Sequence, residues 1–313
     1  MIISASYKTD IPTFYGPWFR NRLQAGFCRM VNPYNANQHF KVSLRPEDVD
    51  GFVFWTKNVT PFLPVLDVVK DREQPFILQH TINAYPRALE SRVVDAERAV
   101  TSLRRVADQF GSKTVVWRYD TIVFSSVTPP DFHRRNFERL AEQLRGTTDE
   151  VVVSFMQVYQ KTKRNMEEAA SQHGFTWTDP LDQEKAELLR DLVAIADGNG
   201  MSLKMCSQPQ FLTTGVGEAR CVDAERLSAL AGHSFRAKLQ GMREGCGCFQ
   251  SKDIGDYDTC PHGCVYCYAV RNRGLALRRH GEHDPDGEYL FPVPAPKVLP
   301  GSEQLALFPG ERK

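Results

Sequence analysis

Six short runs of β-branched and aromatic residues, at 2–7, 51–55, 75–81, 114–119, 150–156 and 201–206, recur along the chain, each followed by a stretch of helical periodicity. Within residues 94–110, Val94, Ala99, Val100, Leu103 and Val106 fall near a three-to-four repeat. Residues 132–144 and 183–196 do likewise, and Gly198-Asn199-Gly200 is a fitting stop. Strands alternating with helices predict an α/β fold over residues 1–207, with a parallel sheet joined by right-handed crossovers.

Polar residues gather where the runs end. The exits are Lys8-Thr9-Asp10, Thr56-Lys57-Asn58, His80-Thr81-Ile82-Asn83, Arg118-Tyr119-Asp120, Gln157-Val158-Tyr159-Gln160-Lys161 and Cys206-Ser207-Gln208. In parallel sheets the carboxyl edge of the strands is where ligands bind. Lys8, Asp10, Lys57, Asn83, Arg118 and Asp120 are therefore the candidate catalytic residues. Turn preference alone explains part of this polarity; charges of both signs together with amides at these ends point to a lined cavity.

Beyond Gln208 the periodicity dissolves. Gly215, Gly217, Gly232, Gly241, Gly245 and Gly247 interrupt the chain, and one helix is predicted there, at 223–231. Seven of the eight cysteines lie after residue 200. The N-terminus lacks the basic start and apolar core of a signal peptide, and no apolar run approaches the roughly 20 residues of a membrane span. A cytoplasmic protein without membrane contact is expected, and in that compartment such cysteines serve metal rather than disulfides. The charged fraction of 25% and hydrophobic fraction of 42% are those of an ordinary soluble chain. A net charge of +1 gives no global pull toward nucleic acid, though it leaves room for a local patch.

Cys260, Cys264 and Cys267 stand at spacings of four and three residues. A structural zinc site closes with four protein ligands. A cubane iron–sulfur cluster held by three cysteines keeps one iron open to a small molecule. The alternative is a zinc knuckle that borrows His262 or a distant cysteine as its fourth ligand. Cys206, Cys221, Cys246 and Cys248 supply the ligand count of a second site, either an iron–sulfur cluster or zinc; against this, Cys206 reads equally as a buried strand-end residue and Cys221 as a packing one. Cys28 reads as a core thiol. Residues 268–280 read as a helix whose Arg271, Arg273, Arg278 and Arg279 form a solvated face.

The C-x3-C-x2-C loop, with Tyr266 directly before its last cysteine, resembles the cluster loop of the radical S-adenosylmethionine (radical SAM) enzymes. The resemblance implies a [4Fe-4S] cluster on Cys260, Cys264 and Cys267, S-adenosylmethionine on the open iron, Tyr266 beside the adenine, and an electron donor. It also implies a partial TIM-like (β/α)6 barrel, with residues 208–280 as a cysteine-rich, cluster-binding cap. In those enzymes the loop follows the first barrel strand, whereas here it follows the last, and no Gly-Gly-Glu segment is present to hold the methionine amino group. Ser4-Ala5-Ser6-Tyr7-Lys8-Thr9-Asp10-Ile11-Pro12, Phe54-Trp55-Thr56-Lys57-Asn58 and the segment Asp253–Cys260 resemble a bacterial family of unknown function whose C-terminal cysteines have been compared with that loop. The Lys-Thr-Asp and Thr-Lys-Asn strand ends also resemble spore photoproduct lyase, a radical SAM enzyme of DNA repair.

Residues 281–313 form a tail. Its Pro-rich part, 281–300, is expected to be an extended, mobile linker. Gln304-Leu305-Ala306-Leu307-Phe308 resembles the motif by which bacterial polymerases and repair proteins dock on the replication sliding clamp, which implies that partner through Gln304, Leu305, Leu307 and Phe308, and with it a DNA substrate; alternatively the segment folds back on the barrel. A radical SAM enzyme is the leading expectation. A non-catalytic zinc or iron–sulfur adaptor recruited to a partner such as the clamp is the alternative.

Overall fold

The computed structural model describes residues 1–32, 35–241 and 245–293. In chain order the strands are β1 (Ile2–Ala5), β2 (Phe27–Asn32), β3 (Asn35–Ser43), β4 (Gly51–Thr56), β5 (Phe76–Thr81), β6 (Val115–Ile122), β7 (Phe124–Ser125), β8 (Glu150–Phe155), β9 (Trp177–Thr178), β10 (Ser202–Met205), β11 (Gly217–Glu218) and β12 (Ser251–Asp253). The helices are α1 (Ile11–Phe14), α2 (Gly16–Ala25), α3 (Leu63–Asp71), α4 (Ala96–Phe110), α5 (Pro130–Leu144), α6 (Gln160–His173), α7 (Asp182–Gly198), α8 (Ala224–Ala231) and α9 (Arg273–Gly281).

Eight strands form one parallel sheet in the order β11-β10-β8-β6-β5-β4-β1-β12. The six predicted strands are its centre, in chain order, and the α/β class is as expected. The sheet does not close into a barrel: β11 and β12 are its two edges. Both edge strands come from the segment after residue 207, which sequence reading placed outside the sheet.

Strand side chains alternate between two faces. Phe52, Phe54, Leu78, Trp117, Val151 and Val153 join a core built with α2 through α7. Val53, Ile77, Val116 and Val152 face the other way, onto Cys221, Val222, Leu227 and Cys248. A central strand buried on both faces reads as a continuous apolar run, which is why β8 is Glu-Val-Val-Val-Ser-Phe and wholly buried. The cysteine-rich segment and α8 thus take the face that the main helices leave.

Two expectations are corrected. Residues 268–272 are not helical, because Asp258 uses their backbone: its carboxylate accepts the Arg271 amide at 2.5 Å and the Asn272 amide at 3.1 Å, and its own amide donates to the Ala269 carbonyl. Asn272 then caps α9 by accepting from the Leu275 amide. Residues 281–293 are not a free linker either. Trp18 Nε1 donates to the Gly287 carbonyl at 2.9 Å, Arg29 pairs with Glu288 at 2.5 Å, Tyr289 hydroxyl meets His39 at 2.7 Å, and Leu290 is buried. Residues 294–313, with the Gln304–Phe308 motif, lie outside the described residues. The antiparallel β2–β3 pair was not foreseen.

Candidate functional site

The cysteine loop reaches the sheet through β12. This three-residue strand pairs in parallel with β1, Ile2 against Ser251 and Ser4 against Asp253, so the chain leaving β12 emerges beside the end of β1. Asp253 fixes that exit. Its carboxylate accepts from Ser4 Oγ at 2.5 Å, Ser6 Oγ at 2.8 Å, the Tyr7 amide at 3.1 Å and the Gly255 amide at 3.0 Å, with Lys8 Nζ at 3.6 Å. Burial raises the Asp253 carboxyl above its ordinary value, and Lys8 and the donors only partly offset this. Residue 255 must be glycine because a Cβ there would stand 2.0 Å from Ser6 Oγ.

From there the loop is tied down at three points. Cys264 bridges Glu90, the Val265 amide donates to the Leu89 carbonyl at 3.1 Å, and the Arg92 amide donates to the His262 carbonyl at 3.0 Å. His262 Nε2 donates to Asp10 at 2.7 Å. Burial works to raise the Asp10 carboxyl, but His262 and the Lys57 and Thr13 amides outweigh it and hold it below its ordinary value.

Lys57, Asn83 and Tyr266 meet around a residue that sequence reading missed, Glu90. Lys57 Nζ donates to Glu90 Oε1 at 2.7 Å and to the Tyr266 hydroxyl at 3.2 Å; Asn83 Nδ2 reaches the same two oxygens at 3.2 and 3.0 Å, and Tyr266 itself donates to Glu90. Burial works to lower the Lys57 ammonium, but the charge and hydrogen bond of Glu90, with Cys264 and Asp120 nearby, together outweigh it and hold it above its ordinary value. Glu90 stands among Arg87, Arg92 and Asp95 in the turn-rich link between β5 and α4, so no periodic signal could have singled it out. Asp253 had a weaker signal, standing two residues before Gly255.

Arg118 and Asp120 form a second knot. Arg118 Nη2 donates to Asp120 at 2.6 Å, and Nη1 donates to Gln79 Oε1 at 3.1 Å and to Cys221 Sγ at 2.9 Å. Ser154 donates to the other Asp120 oxygen.

One cavity of about 470 Å³ joins these groups. Lys8, Asp10, Lys57, Arg118, Asp120 and Tyr266 all line it. Asn83 stands behind Tyr266 and is not on the wall. Cys260, Cys264 and Cys267 line it too, as do Cys206, Cys221, Cys246 and Cys248. Cys28 is elsewhere, in the helix-side core. The rim is aromatic and basic: Tyr7 packs edge-on to Trp55, and Lys8 and Lys161 lie 5.5 and 5.6 Å from the Tyr257 ring centre. Burial pushes the Cys260, Cys264 and Cys267 thiols up. Backbone amides are nevertheless aimed at their sulfurs: Ala269 donates to Cys267 Sγ at 3.3 Å. Among the described residues no group of three or more His, Cys, Asp or Glu side chains is disposed to hold a single metal ion. No helix among them is long and apolar enough to cross a membrane.

The sequence matches the family described as Domain of unknown function (DUF1848) over residues 2–269, a span that includes every strand and every cysteine above. No curated protein and no solved structure matches the chain.

Proposed function

This chain belongs to the DUF1848 family, and we propose that it is a radical SAM enzyme whose [4Fe-4S] cluster sits on Cys260, Cys264 and Cys267. One observation carries the reading: the three thiols line the same cavity as the strand ends. The late position of the loop in the chain is no obstacle, because β12 lies next to β1 in the sheet. A loop leaving β12 therefore starts where one following the first strand would. On this reading the six central strands, within residues 1–207, correspond to a partial (β/α)6 barrel, residues 208–280 are its cap and lend the sheet its two edge strands, 281–313 are its tail, and the protein is cytoplasmic.

The residues present fit the group. A single zinc ion draws its sulfurs to about 2.3 Å from one centre, whereas a cubane gives each thiolate its own iron. Three thiols on one cavity wall match the ligand count of such a cluster. The Ala269 amide also favours the thiolate form of Cys267 that a cluster requires.

When bound, the cluster and S-adenosylmethionine supply one-electron cleavage of the sulfonium and a 5′-deoxyadenosyl radical that removes hydrogen from a substrate. The chain's residues do the positioning. Asp10 pins the loop through His262, and Glu90 with Lys57 and Asn83 holds Tyr266 rigid at the wall. Tyr7, Trp55 and Tyr257 line the cavity and would help to keep water from a bound substrate. Rings and lysines at one mouth also match the faces and phosphates of nucleotides, so DNA, with its target base turned outward, is the substrate class proposed. The tail motif would bring the enzyme to DNA through the sliding clamp.

The test is anaerobic reconstitution followed by dithionite and S-adenosylmethionine. Formation of 5′-deoxyadenosine is expected. A protein with a full cluster and no cleavage would overturn the enzyme reading, and stoichiometric zinc in place of iron would put the adaptor in its place.

A further inference from the structure

The cavity holds four thiols that the triad does not use, and they form a connected row. The Cys206 and Cys221 sulfurs are 3.6 Å apart. Cys221 in turn lies beside Cys248, and Cys248 beside Cys246. The Val222 amide donates to Cys248 Sγ at 3.4 Å. The four come from three separate parts of the chain: the end of β10, the turn after β11 and the loop before β12. Folding has brought them to one wall, and all but Cys246 are buried.

Arg118 gives the row its chemical sense. A guanidinium has donors only, so Cys221 Sγ, 2.9 Å from Arg118 Nη1, must accept. The same guanidinium holds Asp120 at 2.6 Å, so one buried donor ties the row of sulfurs to a strand-end carboxylate. A packing role for Cys206 and Cys221 explains neither the buried donor on Cys221 nor the convergence with Cys246 and Cys248.

We propose that Cys206, Cys221, Cys246 and Cys248 are the ligands of a second thiolate metal centre, an iron–sulfur cluster or a zinc ion, on the wall of the same cavity. A cluster, in which each sulfur takes its own iron, suits a row better than one ion does. The assignment needs no cleavage of S-adenosylmethionine and stands whether or not the triad is catalytic.

The experiment uses the full chain with Cys260, Cys264 and Cys267 all changed to alanine. After anaerobic reconstitution with ferrous iron and sulfide in one arm and zinc in the other, metal and sulfide are counted after desalting. Retention of about four irons and four sulfides, or of about one zinc, is expected, and the two arms tell which. Adding Cys246→Ser, at the one partly exposed position, should abolish it with the circular dichroism unchanged. Cys246→Ser alone should cost the otherwise unaltered chain roughly half its iron, or its zinc, and serves if the triple variant fails to fold. A folded triple variant that binds neither metal overturns the proposal, as does a Cys246→Ser protein with full metal content.

Discussion

His262 Nε2 stands 2.7 Å from the Asp10 carboxylate, so the turn after the first strand and the middle of the cysteine loop form one hydrogen-bonded unit. The same carboxylate accepts the Lys57 and Thr13 amides, each at 2.8 Å. Hydrogen bonds to a charged group contribute about 1.5–3 kcal/mol each. Asp10→Ala should therefore loosen the loop, reduce iron retained after reconstitution several-fold and lower the thermal midpoint by a few degrees. Full iron retention would show that β12 and the residues around Glu90 hold the loop unaided.

The Lys57–Glu90 pair makes a second prediction. Both side chains are largely out of water, at 13% and 3% exposure, and removing one partner of a buried pair costs about 3–5 kcal/mol because the other is left uncompensated. Lys57→Met and Glu90→Gln should each destabilise by that order. The double variant should lose clearly less than the sum, by at least about 1 kcal/mol. Urea unfolding of the four proteins measures this, and strictly additive losses would refute the coupling.

The six central strands were legible because a parallel strand buried on both faces must be apolar along its length, whatever its neighbours are. The residues at their ends were legible as a group for the same reason: polarity stands out after such runs. β12 was not, since Ser-Lys-Asp is a strand only by pairing with β1. Glu90 was hidden because its meaning lies in partners from β4, the β5 exit and the cysteine loop. The tail misled in the opposite sense. Its Asp, Pro and Gly residues look solvated, yet the Gly287 carbonyl, Glu288 and Tyr289 find partners on α2, β2 and β3.

The resemblance of Gln304-Leu305-Ala306-Leu307-Phe308 to clamp-binding segments yields a separate test. Deleting residues 304–308 should abolish binding to a purified bacterial sliding clamp while leaving metal content and 5′-deoxyadenosine formation as they were. Binding unchanged by the deletion would remove the clamp as a partner.

His133, on α5, gives the pH dependence of stability. Its Nε2 donates to the Val123 carbonyl at 3.0 Å and its Nδ1 accepts from the Tyr119 hydroxyl at 2.9 Å, an arrangement of the neutral ring. Burial pushes it down to about 4 from an ordinary value of 6.5, and the carbonyls of Val123 and Thr128 only partly oppose this. Between those values the unfolded chain binds a proton that the folded one does not. The stability conferred by the neutral ring is thus fully present above pH 6.5, is lost as pH falls through the window, and levels off below about 4. The loss from this one group is on the order of 3 kcal/mol. His80, also pushed down to about 4, adds to the slope in the same direction. Comparing urea midpoints at about pH 7 and pH 5, the unaltered protein should lose more stability than His133→Gln, which keeps only the share of the other groups. An equal loss in the two proteins would show that His133 takes up its proton at the same pH folded and unfolded, and would refute the shift.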